Sequence, residues 1–309
     1  MNTTNGFSTI SVKDLHEKLE MGENVVLIHT LPHDHFQKAH IPGAQNACVF
    51  EVVFLDNLKK ICPELEREIV LYGSSDRSMD AVAAAEKLVR AGYRKVYALE
   101  GGLRQWAALG YDVEGHQPEV AGMEEAPPAL RDHRYRVDLE QSAIEWRGRN
   151  PNTTHYGTVS LAGGEIIVRN SRITGDFQID MTSVRNINLE GDPLQPVLIN
   201  HLMSDDFFFT TLFPKAHFEV TSAEPIKGAT QSVPNFNVQG ILELRGIKKD
   251  LEFAAIATEG PDGEVRIESH FDMDRTRWGV IYGSTRFFEK LGMHLVFDHI
   301  SIQLHLVVR

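Results

Sequence analysis

At Arg134 the hydrophobic pattern of the chain changes period, and no other feature restricts the fold as much. Before it, short apolar runs alternate with stretches whose apolar residues recur every three or four positions, as when parallel strands are joined by helices. After it, apolar and polar residues alternate one by one to the end, as in antiparallel strands with one buried face. A chain of 309 residues is too long for one ordinary core and long enough for two. We therefore expect two domains, a parallel α/β domain over residues 1–115 and an all-β antiparallel barrel over 134–309. Residues 116–133, HQPEVAGMEEAPPALRDH, have three prolines, an acidic pair and no apolar periodicity, and read as a semi-extended linker.

In the first half, residues 25–28, 68–72 and 95–99 are buried strands. Met79, Val82, Ala83, Leu88 and Val89 share one face of a helix that Gly92 is placed to end. His40-Ile41-Pro42-Gly43-Ala44 is turn chemistry. Together with the strand-loop-helix over 70–82 and the stretch Leu99-Glu100-Gly101-Gly102-Leu103-Arg104-Gln105-Trp106, these residues resemble the rhodanese family across nearly all of 7–115.

That resemblance implies a loop that opens on a cysteine, whose persulfide is cradled by backbone N–H groups at a helix N-terminus. Here the loop reads Gly73-Ser74-Ser75-Asp76-Arg77-Ser78, with glycine where the nucleophile belongs and one residue fewer. Serine cannot replace it, because persulfide chemistry needs a polarizable sulfur. The Asp-x-Arg implied earlier in the domain is replaced by His29, Thr30 and Leu31. Sulfur transfer from this loop is not expected, and a docking or regulatory module is. Two other readings stand beside it: a small anion held by Arg77 and the loop amides, and a sulfurtransferase using Cys48 as a displaced thiol. Cys48 and Cys62, the only cysteines, lack CxxC spacing and read as reduced thiols.

In the second half, residues 143–148 alternate, 157–161 alternate and turn at Gly163-Gly164, and 166–168 follow. Ile173, Gly175, Phe177, Ile179 and Met181 share one face of a long strand. Later strands span 218–221, 236–244, 251–257, 265–271 and 300–308. Eight or more strands with hairpin-scale connections imply a closed or nearly closed barrel around a space wide enough for one ligand. The stretch 201–222, HLMSDDFFFTTLFPKAHFEVTS, carries more apolar bulk than a connection normally does, and is expected to close or floor a greasy cavity.

A series of signatures, in order, resembles the YceI-like family over residues 135–308. They include Ser142-Ala143-Ile144-Glu145-Trp146, His155-Tyr156-Gly157-Thr158-Val159, Gly175-Asp176-Phe177-Gln178-Ile179-Asp180-Met181, Phe213-Pro214-Lys215-Ala216-His217-Phe218 and Asp274-Arg275-Thr276-Arg277-Trp278-Gly279. The resemblance implies a lipocalin-like barrel that binds a polyisoprenoid, an isoprenoid quinone or a fatty-acyl amphiphile and needs no cofactor, and it makes a homodimer an expectation. The expected wall is Trp146, Phe177, Ile179, Met181, Phe207, Phe208, Phe218, Trp278, Tyr282, Phe287 and Phe288, unless these side chains fill a solid core instead. A head group would meet His155, Arg275, Arg277, Tyr282 or Arg286, unless the arginines pair with Asp272, Asp274, Asp205 or Asp206.

Other classes are disfavoured. A net charge of −12 with no clustered Lys and Arg argues against nucleic acid or an anionic membrane surface. No run approaches a spanning helix and the N-terminus lacks a signal-peptide core, so a cytoplasmic, non-integral protein is expected. The seven histidines of the second half form neither HxH nor HExxH, and no bound metal is expected.

Overall fold

The structure is a computed structural model that describes residues 3–4, 6–117, 130–170, 172–260 and 262–309. The chain divides into two compact units, residues 1–124 and 125–309. Most of the expected linker, 118–129, lies outside the described residues. Its two ends do not behave as spacer: the amides of His116 and Gln117 bond the carbonyls of Gln37 and Lys38 at 3.1 and 2.9 Å, and Leu130 packs on the core of the second unit.

The first unit holds strands β1 (Thr3–Thr4), β2 (Phe7–Ile10), β3 (Val26–His29), β4 (Gln45–Asn46), β5 (Glu68–Tyr72) and β6 (Lys95–Leu99), and helices α1 (Val12–Glu20), α2 (His33–Lys38), α3 (Phe54–Ile61), α4 (Asp80–Arg90) and α5 (Gly102–Ala108). The sheet order is β1-β2-β6-β5-β3-β4, parallel except for the β1–β2 pair. Alternation along β5 makes the layers. Ile69 and Leu71 face Phe54 and Leu58 of α3 and Leu88 of α4, while Val70 and Tyr72 face Leu15 of α1 and Trp106 of α5. Both sides of β5 are therefore buried, which is why it reads as an unbroken apolar run. Ser11 caps α1 by accepting from the Asp14 amide at 3.1 Å.

The second unit comprises β7 (His133–Arg136), β8 (Ala143–Arg149), β9 (Thr154–Arg169), β10 (Arg172–Asn186), α6 (Leu194–Met203), β11 (Lys215–Pro225), β12 (Phe236–Leu244), β13 (Ile247–Glu259), β14 (Val265–Asp274) and β15 (His299–Val308). From β8 to β15 each strand pairs antiparallel with the next, and β15 pairs back to β8, so eight strands close a barrel without a free edge. One end, the hairpin end, carries the connections that follow β9, β11 and β13. The other carries α6, the stretch 204–214 and the long connection 275–298.

The turn expected at Gly163-Gly164 is not there. β9 runs straight through, because the ladder with β10 steps from Gln178↔Gly163 to Ile179↔Leu161 and leaves Ala162 unpaired. This β-bulge shifts the inward face by one residue: Val159 and Leu161 are buried before it, Ile166 and Val168 after it. Such a phase slip between two glycines is indistinguishable in sequence from a hairpin. Gly164 has its own reason: a Cβ there would stand 2.3 Å from Cδ1 of Phe177.

Candidate functional site

The inward faces of the barrel strands do not meet in the middle. They enclose a cavity of about 190 Å³ whose lining side chains are all apolar. The lining includes Ile300, Met273 and Leu244 toward the α6 end, and Leu306, Ala257 and Phe236 toward the hairpin end, so the cavity runs along the barrel. At roughly 3.3 Å per residue, the six steps from Ile300 to Leu306 alone amount to about 20 Å of strand. A cavity lined only by hydrocarbon stays dry and takes up apolar molecules.

Of the residues expected at the wall, Trp146, Phe177, Ile179, Met181, Phe208 and Phe218 line this cavity. The rest lie elsewhere. Phe207 is buried outside the lining, 4.9 Å from His201 and 5.3 Å from Tyr282, ring to ring. Trp278 is fully buried, and its indole N–H donates to the carbonyl of Leu242 at 2.8 Å. Phe287 and Phe288 are exposed, and the Tyr282 hydroxyl meets Nδ1 of His294 at 3.2 Å.

None of the expected head-group residues, His155, Arg275, Arg277, Tyr282 and Arg286, lines the cavity. Arg275 is 2% exposed and donates to the carbonyls of Tyr282, Val296 and Phe297 at 2.7, 3.1 and 3.1 Å, and to that of Val280. It staples the connection 275–298 from inside, and four of the five N–H donors of its guanidinium are spent on these carbonyls. Arg277 donates to the Asp250 carbonyl at 2.8 Å and lies over Trp278. Arg286 pairs with Asp274 at 2.7 Å. His155 sits beside Asn188 and Thr153, away from the cavity lining.

Sequence reasoning passed over much of the cavity wall, including Leu251, Phe253, Ala255 and Phe271, though it put Ile300, Ile302, Leu304, Leu306 and Val308 on one face of the last strand. For the missed residues the signal was present in the two-residue alternation of β13 and β14. One polar atom stands out. Nε1 of Trp146 is buried without a hydrogen-bond partner.

In the first unit, position 73 at the head of the loop has no room for a side chain. A Cβ built on Gly73 would stand 1.7 Å from Oδ2 of Asp80, the first residue of α4. Asp80 is 3% exposed and accepts from the hydroxyls of Thr30 and Ser78. Its carboxylate fills the space that a side chain at position 73 would occupy. The loop is pinned from behind: the amides of Leu103 and Arg104 bond the carbonyls of Gly73 and Ser74 at 2.9 Å each, and a Cβ on Gly102 would strike Gly73 O at 2.7 Å. Ser74, Asp76 and Arg77 are exposed, with Ser75 accepting from the Arg77 amide at 3.3 Å. Cys48 is buried and unpaired, on the segment that runs beside His29 and Thr30.

His29 is 1% exposed, with Nδ1 unpartnered and its ring edge-on to Tyr72 at 5.1 Å. Burial pulls its pKa from the usual 6.5 down to about 4, against the attraction of Asp80. The unfolded chain therefore binds a proton between pH 6.5 and 4 that the folded chain does not. Stability is full above pH 6.5 and falls as pH drops toward 4, by up to about 3 kcal/mol. His29→Leu should flatten this dependence, measured as urea midpoints at pH 7 and 4.5 by Trp106 fluorescence. An equal acid loss in both proteins would remove His29 as its cause.

A closed antiparallel barrel around an oily cavity is a lipocalin-like build. The family model for the YceI-like domain matches residues 135–308, and that for the rhodanese-like domain matches 11–109. The chain belongs to the YceI-like family and carries a rhodanese-like domain ahead of its barrel. It is 31% identical over 109 residues to an HTH-type transcriptional regulator of Mycobacterium tuberculosis, a match covering 35% of this chain and 46% of that protein, so the chain spans less than half of that relative's length. Among solved structures it is similar to BcnA of Burkholderia cenocepacia, at 19% identity over 55% of this chain and 98% of that one, with a TM-score of 0.44. It is also similar to a polyisoprenoid binding domain from Saccharophagus degradans, at 12% identity over 57% and 97%, with a TM-score of 0.40. Among the described residues no helix is long and apolar enough to cross a membrane.

Proposed function

We propose that the barrel binds, shields and hands over a long hydrocarbon chain of the polyisoprenoid, isoprenoid-quinone or fatty-acyl kind, and that the rhodanese-like unit serves as a non-catalytic docking or regulatory module. The observation that carries this reading is the uniformly apolar wall along the barrel. Each buried CH₂ of a guest contributes roughly 0.8 kcal/mol there, so affinity grows with chain length. No polar side chain lines the cavity, so a charged or strongly hydrated head stays outside it. The displaced-thiol alternative gains no support from Cys48, which is buried within the domain. The Asp80 carboxylate packed against Gly73 supports a loop without sulfur chemistry.

Native mass spectrometry of the purified chain should show an adduct of several hundred daltons that organic extraction releases as a lipid. A stripped protein should then take up an added long-chain lipid at one per barrel. A protein that neither carries nor takes up lipid would contradict the proposal.

A further inference from the structure

The two ends of the barrel are closed very differently. At the α6 end the cover is part of the core. Trp278 and Val280 are fully buried, and Arg275 is tied to four carbonyls of the connection it staples. Opening there would strand several buried donors of a guanidinium, among the costliest groups to leave unpaired.

At the hairpin end the cover is residues 130–132, which precede the region matched by the barrel family. Leu130 is half-buried and lines the cavity. Two contacts hold the segment on which it sits, on opposite sides of the mouth. Asp132 accepts from the Asn170 amide at 2.9 Å, at the β9–β10 tip. Arg131 reaches Glu259 at the end of β13, with 2.6 Å between guanidinium and carboxylate. In the ring of eight, β13 lies four strands from β9 in either direction, so this ion pair crosses the opening. Nearer its root, the Tyr135 hydroxyl donates to the Arg131 carbonyl at 3.3 Å. The side chains of Arg131 and Glu259 are 76% and 39% exposed, so water and salt compete for their attraction.

We infer that a guest enters and leaves at the hairpin end, and that residues 130–132 form a strap across that mouth with Leu130 as its stopper. This rests on the proposed binding function and adds the route. Opening needs the loss of one exposed ion pair, one or two hydrogen bonds and one half-buried leucine, and leaves the barrel ladder intact. The side chain released is also the one that touches the end of the guest nearest the mouth, so a bound chain and the closed strap complete each other's apolar contact.

Stopped-flow fluorescence of the full chain with cis-parinaric acid, a polyene fatty acid that brightens in apolar surroundings, tests this. Arg131→Glu should raise both the uptake and release rate constants about threefold at low ionic strength. Glu259→Arg alone should do the same, and the charge-swapped double variant should return to the wild-type rates. Leu130→Gly should speed release about tenfold. Phe288→Ser, at the opposite end, should leave both rates unchanged. The inference fails if the strap variants behave as wild type, if the double variant is not restored, or if Phe288→Ser accelerates exchange while the strap variants do not. If no probe enters the wild-type protein, the binding function itself fails and the route falls with it. Bound probe with unaltered rates refutes the route alone.

Discussion

Gly73→Cys should yield a protein that turns over no thiosulfate and is less stable than its parent by about 2–4 kcal/mol. Returning the missing sulfur to the loop looks like a repair, since glycine stands at the expected nucleophile position and the surrounding strand-loop-helix is in place. The space is taken. The new Cβ would stand 1.7 Å from Oδ2 and 2.4 Å from Cγ of Asp80, far inside any real contact. Asp80 would have to swing away, leaving the hydroxyls of Thr30 and Ser78 without their shared acceptor and a buried carboxylate without donors. Overpacking of a tight site costs about 1–3 kcal/mol, and the lost hydrogen bonds add to it. Asp80→Ala in the same chain should recover part of the loss, with a coupling energy of about 1–3 kcal/mol between the two sites. Urea midpoints of the four proteins give that coupling, and a thiosulfate assay reads the chemistry. Thiosulfate turnover by Gly73→Cys alone would show that the carboxylate does not block the site.

Ala255→Phe should cut the lipid recovered with the protein by more than a hundredfold while leaving the melting temperature unchanged or higher. Ala255 is 2% exposed and contributes one of the small patches of the cavity wall, two residues along β13 from Phe253, whose ring stacks on Phe271 at 4.5 Å. A benzyl group there projects into empty space and cuts the lumen short. A guest that loses contact for four or five methylenes forfeits about 3–4 kcal/mol, or a few hundredfold in affinity. The protein itself gains, because a filled cavity restores the contacts its lining lacks. Ala223→Leu, a smaller intrusion into the same lumen, should give a smaller loss in the same direction. Undiminished lipid in both variants would mean that the guest does not occupy this space.

How much of this was legible in the sequence depends on whether a feature is periodic or relational. β12 coincides with its expected span of 236–244 because Phe236, Val238, Leu242 and Leu244 alternate without a fault. The inward face of β15 was equally readable. A regular pattern broken by one residue was misread, as at Gly163-Gly164, because a bulge and a turn leave the same mark on a two-residue period. The arginines failed for a different reason. A sequence displays the charge of Arg275 but not the four carbonyls that surround it, and those come from residues 280–297 folding back over the guanidinium. Likewise the glycine in place of a cysteine was plain, while the carboxylate seven residues on that fills its space was not. Leu130 lay in a stretch whose prolines read as spacer, and only the closed ring reveals that it covers an opening.

The unpaired residue in β9 lets one ribbon serve two neighbours. Ahead of Ala162, residues 154–159 pair with β8; beyond it, residues 165–168 pair with β7. Ala162 is itself exposed, so most side chains should be tolerated there. Removing it is another matter: with one link fewer, the oily row of one half or the other would turn to water, and the ribbon would have to give up either its first neighbour or its second. At this position the count of residues carries information that their identity does not.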